Sequence, residues 1–135
     1  GNSGGINNRP NSVGDPATAK NIVTVGASQS SGPDLTQNEL GHDYLAPFSS
    51  RGPTADGRTK PEVVAPGMYI LSAGALPNTP GACDPETQPP AGGRANGVLS
   101  IQGTSMATPV VSANAAQVRQ YFTEGWYPKG EKGTG

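Results

Sequence analysis

The stretch Gly103-Thr104-Ser105-Met106-Ala107-Thr108-Pro109 stands at the head of an apolar run with a helical period. Val111, Ala115, Val118 and Phe122 follow one another at helical spacing, as one face of a helix that ends near Gly125. Pro109 falls in the first turns, where losing an N–H costs least. A serine at a helix N-terminus is surrounded by unpaired backbone N–H groups and the positive end of the helix dipole. Those groups suit a developing oxyanion, while the hydroxyl itself becomes a nucleophile only when a base removes its proton. Ser105 is therefore the candidate nucleophile. A lone Gly-Thr-Ser also reads as a helix N-cap, so the weight rests on the whole seven-residue string. Gly103 leaves room for a substrate backbone, and Met106-Ala107 turn the next residues into the core.

Working back from the serine, Val98-Leu99-Ser100-Ile101 is a short apolar run that leads straight into it. Val63-Val64-Ala65 and Tyr69-Ile70-Leu71 are two more, separated by the turn signal Pro66-Gly67. Ile22-Val23-Thr24-Val25, closed by Gly26-Ala27, reads as a buried strand. Several short strands and then a helix predict an α/β domain with a mostly parallel sheet. Two irregular stretches interrupt it, Ser28–Pro47 and Gly74–Gly97. The second carries Pro77, Pro80, Pro85, Pro89 and Pro90 and reads as a surface insertion around 74–97.

Composition limits the function classes. With 20 Gly and 14 Pro in 135 residues and 33% hydrophobic residues, the chain is loop-rich, and its core is small for independent folding. Its net charge of −1 lacks the charge excess that usually accompanies disorder. The nine basic residues form no run and no aromatic interleaving, so nothing points to nucleic acid. No apolar stretch approaches a membrane span. Cys83 is the only cysteine, which excludes an internal disulfide and leaves the redox compartment unread. No His/Cys cluster has zinc-ligand spacing.

The chain opens Gly1-Asn2-Ser3-Gly4-Gly5, a glycine-rich turn that presents a side-chain amide. Taken with the string around Ser105, it resembles the subtilisin-like serine proteases (subtilases, peptidase S8). The Gly-x-Ser-x-Gly elbow of the α/β-hydrolases is not matched, because position 107 is Ala. The resemblance implies a triad in the chain order Asp, His, Ser, with an oxyanion-hole asparagine between His and Ser. Asn2 stands where that asparagine should, about a hundred residues before Ser105. It implies part of a three-layer α/β fold truncated at both ends, with residues 1–135 as the C-terminal part of the catalytic domain. It also implies a serine endopeptidase acting on peptides or proteins. The catalytic Asp and His would come from a missing N-terminal half, leaving the isolated chain inactive.

The resemblance runs nearly the whole length. Ser12-Val13-Gly14-Asp15-Pro16 is similar to the segment flooring the primary specificity pocket, with Gly14 in its wall and Asp15-Pro16 a candidate cis peptide. Gly103 and Thr104 join Gly14 as candidate substrate-binding residues. Phe48-Ser49-Ser50-Arg51-Gly52-Pro53 and Ala65-Pro66-Gly67 match scaffold, and Asp56-Gly57-Arg58 with Lys60-Pro61 resembles the alkaline oxidatively stable branch. His42 lacks the His-Gly-Thr context and lies on the wrong side of Asn2, so it reads as a solvated loop residue. Asp15, Asp34, Asp43, Asp56 and Asp84 lack the catalytic aspartate's motif. No cofactor is required by the resemblance. Its one candidate ion is calcium, on carbonyls near Ala17–Asn21 with Glu62. Relatives are commonly secreted or vacuolar. A parent that has lost the Asp or His would instead be a pseudoprotease or binding module on the same scaffold.

Overall fold

The computed structural model describes residues 1–5, 7–31, 40–73, 98–128 and 130–132. The insertion expected around 74–97, Cys83, Asp34 and Asp84 lie outside them. Strand β1 (Val25–Ser28) pairs in parallel with β2 (Val63–Pro66), in register from Val25 opposite Val63 to Ser28 opposite Pro66. β1 is buried along its whole length, the pattern of a strand covered on both faces. After the turn at Gly67, β3 (Ile70–Ala73) pairs antiparallel with β4 (Val98–Ile101), Ile70 opposite Ile101. β4 then delivers the chain into the helix α1 (Thr104–Thr123). The architecture is α/β.

α1 packs across β1 and β2, and the core lies at that contact. Val25, Ala27, Ala46, Ala65 and Ala107 are buried, with Phe48, Met68 and Val111 packed against them. A 20-residue helix is about 30 Å long, whereas a four-residue strand spans about 13 Å. The strands therefore cover only the first turns of α1. Of the expected apolar face Val111 joins the core, while Val118 is 57% and Phe122 48% exposed. The helix stops as its sequence predicts. Gly125, at φ 70°, donates to the Phe122 carbonyl, and Trp126 N–H donates to that of Tyr121. This is the glycine-closed Schellman arrangement.

Two local expectations shift. Strand β1 begins at Val25 rather than Ile22, because the preceding backbone is engaged by side chains. The Ile22 carbonyl accepts from Lys60 Nζ, and Thr24 N–H donates to Glu62 Oε2. Pro109 is the sixth helical residue, beyond the four whose N–H groups lack partners anyway. The missing N–H leaves the Ser105 carbonyl without its partner four residues on.

Candidate active site

Ser105 is placed by a relay of backbone contacts. Gly67, closing the Ala65-Pro66-Gly67 turn, donates to the Ser28 carbonyl at the end of β1 (3.0 Å) and accepts from Gly103 N–H (2.7 Å). The approach is so close that a Cβ on Gly67 would lie 2.7 Å from the Gly103 oxygen and 2.8 Å from Ala27 Cβ. The turn is thus wedged between the sheet and the head of α1. Gly103 and Thr104 are buried, and the next residue, Ser105, emerges exposed in the first helical turn.

Asn2 is brought to the same point from the far end of the sequence. The Gly103 N-cap offers no side chain to the helix. Asn2 Oδ1 takes that role instead, accepting from Thr104 N–H (2.9 Å) and Thr104 Oγ1 (3.0 Å), 102 positions away. A backbone N–H can only donate, so the atom facing it must be the amide oxygen. The Asn2 nitrogen is thereby left to donate elsewhere, and it lies on the Gly103 side, 3.2 Å from where a Cβ on that residue would sit. The turn carrying Asn2 is laced to the stretch Phe48–Ser50. Gly4 N–H donates to the Phe48 carbonyl, Ser3 N–H to Ser50 Oγ, and Ser50 N–H to the Gly1 carbonyl. Fully buried Ser49 ties the same stretch to β1 by accepting from Ala27 N–H (3.0 Å). Ser49, Ser50 and Gly67 are positioning residues, and only their place in the matched scaffold segments signals them in the sequence.

The other candidates fall elsewhere. Gly14 is exposed, and a Cβ there would meet nothing within 4 Å. Asp15-Pro16 is cis. His42 lies on an exposed loop with Nδ1 2.9 Å from Ser31 Oγ and Nε2 3.6 Å from Asp43. No described residue hydrogen-bonds to the Ser105 hydroxyl.

Comparison with known proteins matches residues 1–132 to the Subtilase family, peptidase S8. The chain belongs to the subtilase family. It is 48% identical over 88 residues to the serine protease/ABC transporter B family protein tagB of Dictyostelium discoideum, covering 64% of this chain and 4% of that protein. It is 33% identical over 108 residues to the serine protease AprX of Bacillus subtilis, covering 80% of this chain and 22% of AprX. It is 39% identical over 123 residues to pyrolysin of Pyrococcus furiosus, covering 78% of this chain and 8% of pyrolysin. The chain thus spans a small fraction of the length of these relatives.

In this subtilase chain, the turn after Gly14 is held by cationic side chains. Lys60 Nζ reaches Glu62 Oε1 (2.5 Å) and the Ile22 carbonyl (3.2 Å). Arg58 Nη2 donates to the Thr18 carbonyl (2.7 Å), and Thr24 Oγ1 donates to that of Ala17 (2.6 Å). The Lys60 ammonium and the Thr24 N–H hold the Glu62 carboxyl down at about 2. Arg58 and the Thr54 hydroxyl hold Asp56 well below the usual carboxylate range. Among the described residues no group of three or more His, Cys, Asp or Glu is placed to hold a metal, and no helix is long and apolar enough to cross a membrane.

Proposed function

We propose that the protein carrying this chain is a serine endopeptidase that cleaves peptide or protein substrates through an acyl-enzyme on Ser105. Asn2 Nδ2 and the Ser105 N–H donate to the oxyanion, while Gly103 and Thr104 border the substrate backbone and Gly14 lines the side-chain pocket. A His and an Asp from outside the chain act as base and orienter, so the 135-residue piece alone has negligible peptidase activity. The family's secreted or vacuolar habit extends to this protein. The observation that supports this reading most is the capping of α1 by Asn2 Oδ1, which turns the amide donors toward the serine side of Gly103. The hole is then set before substrate arrives, which is where its electrostatic value lies.

The test is labelling of the full-length protein with a serine-directed fluorophosphonate, with the adduct mapped by mass spectrometry. A single adduct on Ser105, lost in Ser105→Ala together with peptide hydrolysis, supports the reading. A folded native protein that neither labels nor hydrolyses peptides would refute it and favour a non-catalytic scaffold.

A further inference from the structure

The turn from Asp15 to Thr24 offers the carbonyl oxygens of Ala17, Thr18 and Ile22, and Glu62 reaches it through Thr24 N–H, the kinds of oxygen ligand that a cation takes. Calcium takes six to eight oxygen ligands at about 2.3–2.6 Å. The residues present do not fit it. The Lys60 side chain is only 2% exposed, and its ammonium sits on the Glu62 carboxylate and the Ile22 carbonyl. The second carboxylate oxygen is taken by Thr24 N–H, the Ala17 carbonyl by Thr24 Oγ1 and the Thr18 carbonyl by Arg58.

We infer that the Lys60 ammonium occupies the cation position of this turn, so that the native protein binds no calcium there and Lys60→Ala creates a calcium site. A lysine head is a compact point charge with three donors on a flexible stem. Buried beside a carboxylate and a peptide oxygen, it neutralises the one and satisfies the other, as a metal ion would. It also differs from an ordinary surface ion pair, because a buried charge has to be paired or coordinated. The ammonium is covalently attached, so its occupancy does not depend on ion concentration. A divalent ion could enter only by displacing it, against like-charge repulsion. Removing the side chain beyond Cβ vacates the position while leaving Glu62 and the Ile22 carbonyl in place. Without the lysine, Glu62 is still a carboxylate, ionised at neutral pH and available to such an ion.

The test uses the full-length protein as native, Lys60→Ala and Lys60→Ala/Glu62→Gln forms. Each is stripped with chelator, titrated with calcium by calorimetry, and melted with and without millimolar calcium. Any calcium bound elsewhere is common to all three and cancels in the comparison. Lys60→Ala is expected to bind one more calcium per chain than native. In chelator its melting temperature should fall by roughly 2–8 °C, the shift expected for loss of one interaction of about 1 kcal/mol, and calcium should restore at least half of the fall. The double variant should lose the added ion. Lys60→Ser, whose short side chain also ends well before the cation position, serves in the same titration if the alanine variant does not fold. Equal calcium stoichiometry in native and lysine-substituted forms would overturn the inference. So would a double variant that keeps the added ion.

Discussion

Asn2 has two separable duties, and a pair of substitutions divides them. Its oxygen caps α1 through Thr104, while its nitrogen is the proposed oxyanion donor. Asn2→Asp keeps an acceptor for Thr104 N–H and Oγ1 but removes both amide hydrogens. Asn2→Ala removes acceptor and donor together. Loss of an N-cap acceptor costs about 1 kcal/mol of stability, and loss of one oxyanion donor costs about 2.7–4 kcal/mol of transition-state energy, a figure that comes from subtilisin itself. Against a domain stability of about 5–15 kcal/mol the first loss leaves the protein folded. The second lowers kcat by roughly 10²–10³. Both variants should therefore lose about the same kcat, while urea denaturation separates them, with Asn2→Ala weaker by about 1 kcal/mol and Asn2→Asp close to native. Asp should be no better than Ala in turnover, because its carboxylate repels the oxyanion. The assay is steady-state hydrolysis of a chromogenic peptide by the full-length protein, with KM and kcat resolved. Asn2→Asp retaining kcat within a few-fold of native would refute the donor assignment. A purely structural role predicts instead that activity follows stability, so that only Asn2→Ala suffers.

Gly103→Ala places a Cβ 3.2 Å from Asn2 Nδ2 and should reduce kcat by about tenfold or more, read in the same assay; native-like turnover would show that the amide need not stay where it is. Gly14→Ala meets open space, so its melting temperature should stay near native while KM rises for substrates with bulky side chains, and an unchanged substrate profile would remove Gly14 from the pocket. Ser49→Ala strips the buried Ala27 N–H of its acceptor and should cost about 1–3 kcal/mol in chemical denaturation. The Glu62 carboxyl sits at about 2 against an ordinary 4.5, so between those values the unfolded chain binds more protons than the folded one. Stability should therefore hold above about pH 4.5 and fall as pH drops toward 2, and Glu62→Gln should flatten part of that slope in pH-dependent melts.

The parts of this molecule that were legible in the sequence are those set by neighbours in the chain. The period from Val111 onward announced α1, Gly125 its end, and Pro66-Gly67 the break between β2 and β3. Ser105 stood out by its own surroundings, the head of a helix, whereas Asn2, in what is by itself simply a glycine-rich turn, stood out only through the family resemblance. What escaped was decided at a distance. Ile22 and Thr24 have the β-branched character of a strand, yet their backbone groups answer to Lys60 and Glu62, 38 positions on. The apolar pattern of α1 forecast burial that the four-residue strands are too short to supply beyond Val111.

The same distinction explains how the site is built. Asn2 and Ser105 are joined through few side chains and many backbone hydrogen bonds. The Gly1–Gly4 turn holds to Phe48–Ser50, Ser49 to Ala27 in β1, β1 to β2, Ser28 to Gly67, and Gly67 to Gly103. Backbone groups are the same at every position, so no residue pattern encodes these links directly. The sequence can only permit them, by keeping side chains out of the way. Gly4 would drive a Cβ to within 2.0 Å of the Ser49 carbonyl and Gly67 to within 2.7 Å of that of Gly103. The residues that settle where Asn2 and Ser105 meet are therefore ones outside the proposed catalytic pair. Gly67→Ala puts this directly to the test. Backbone crowds its Cβ, so the strain should cost about 1–3 kcal/mol and lower kcat together with stability. Unimpaired turnover in that variant would mean that α1 finds its place without the turn.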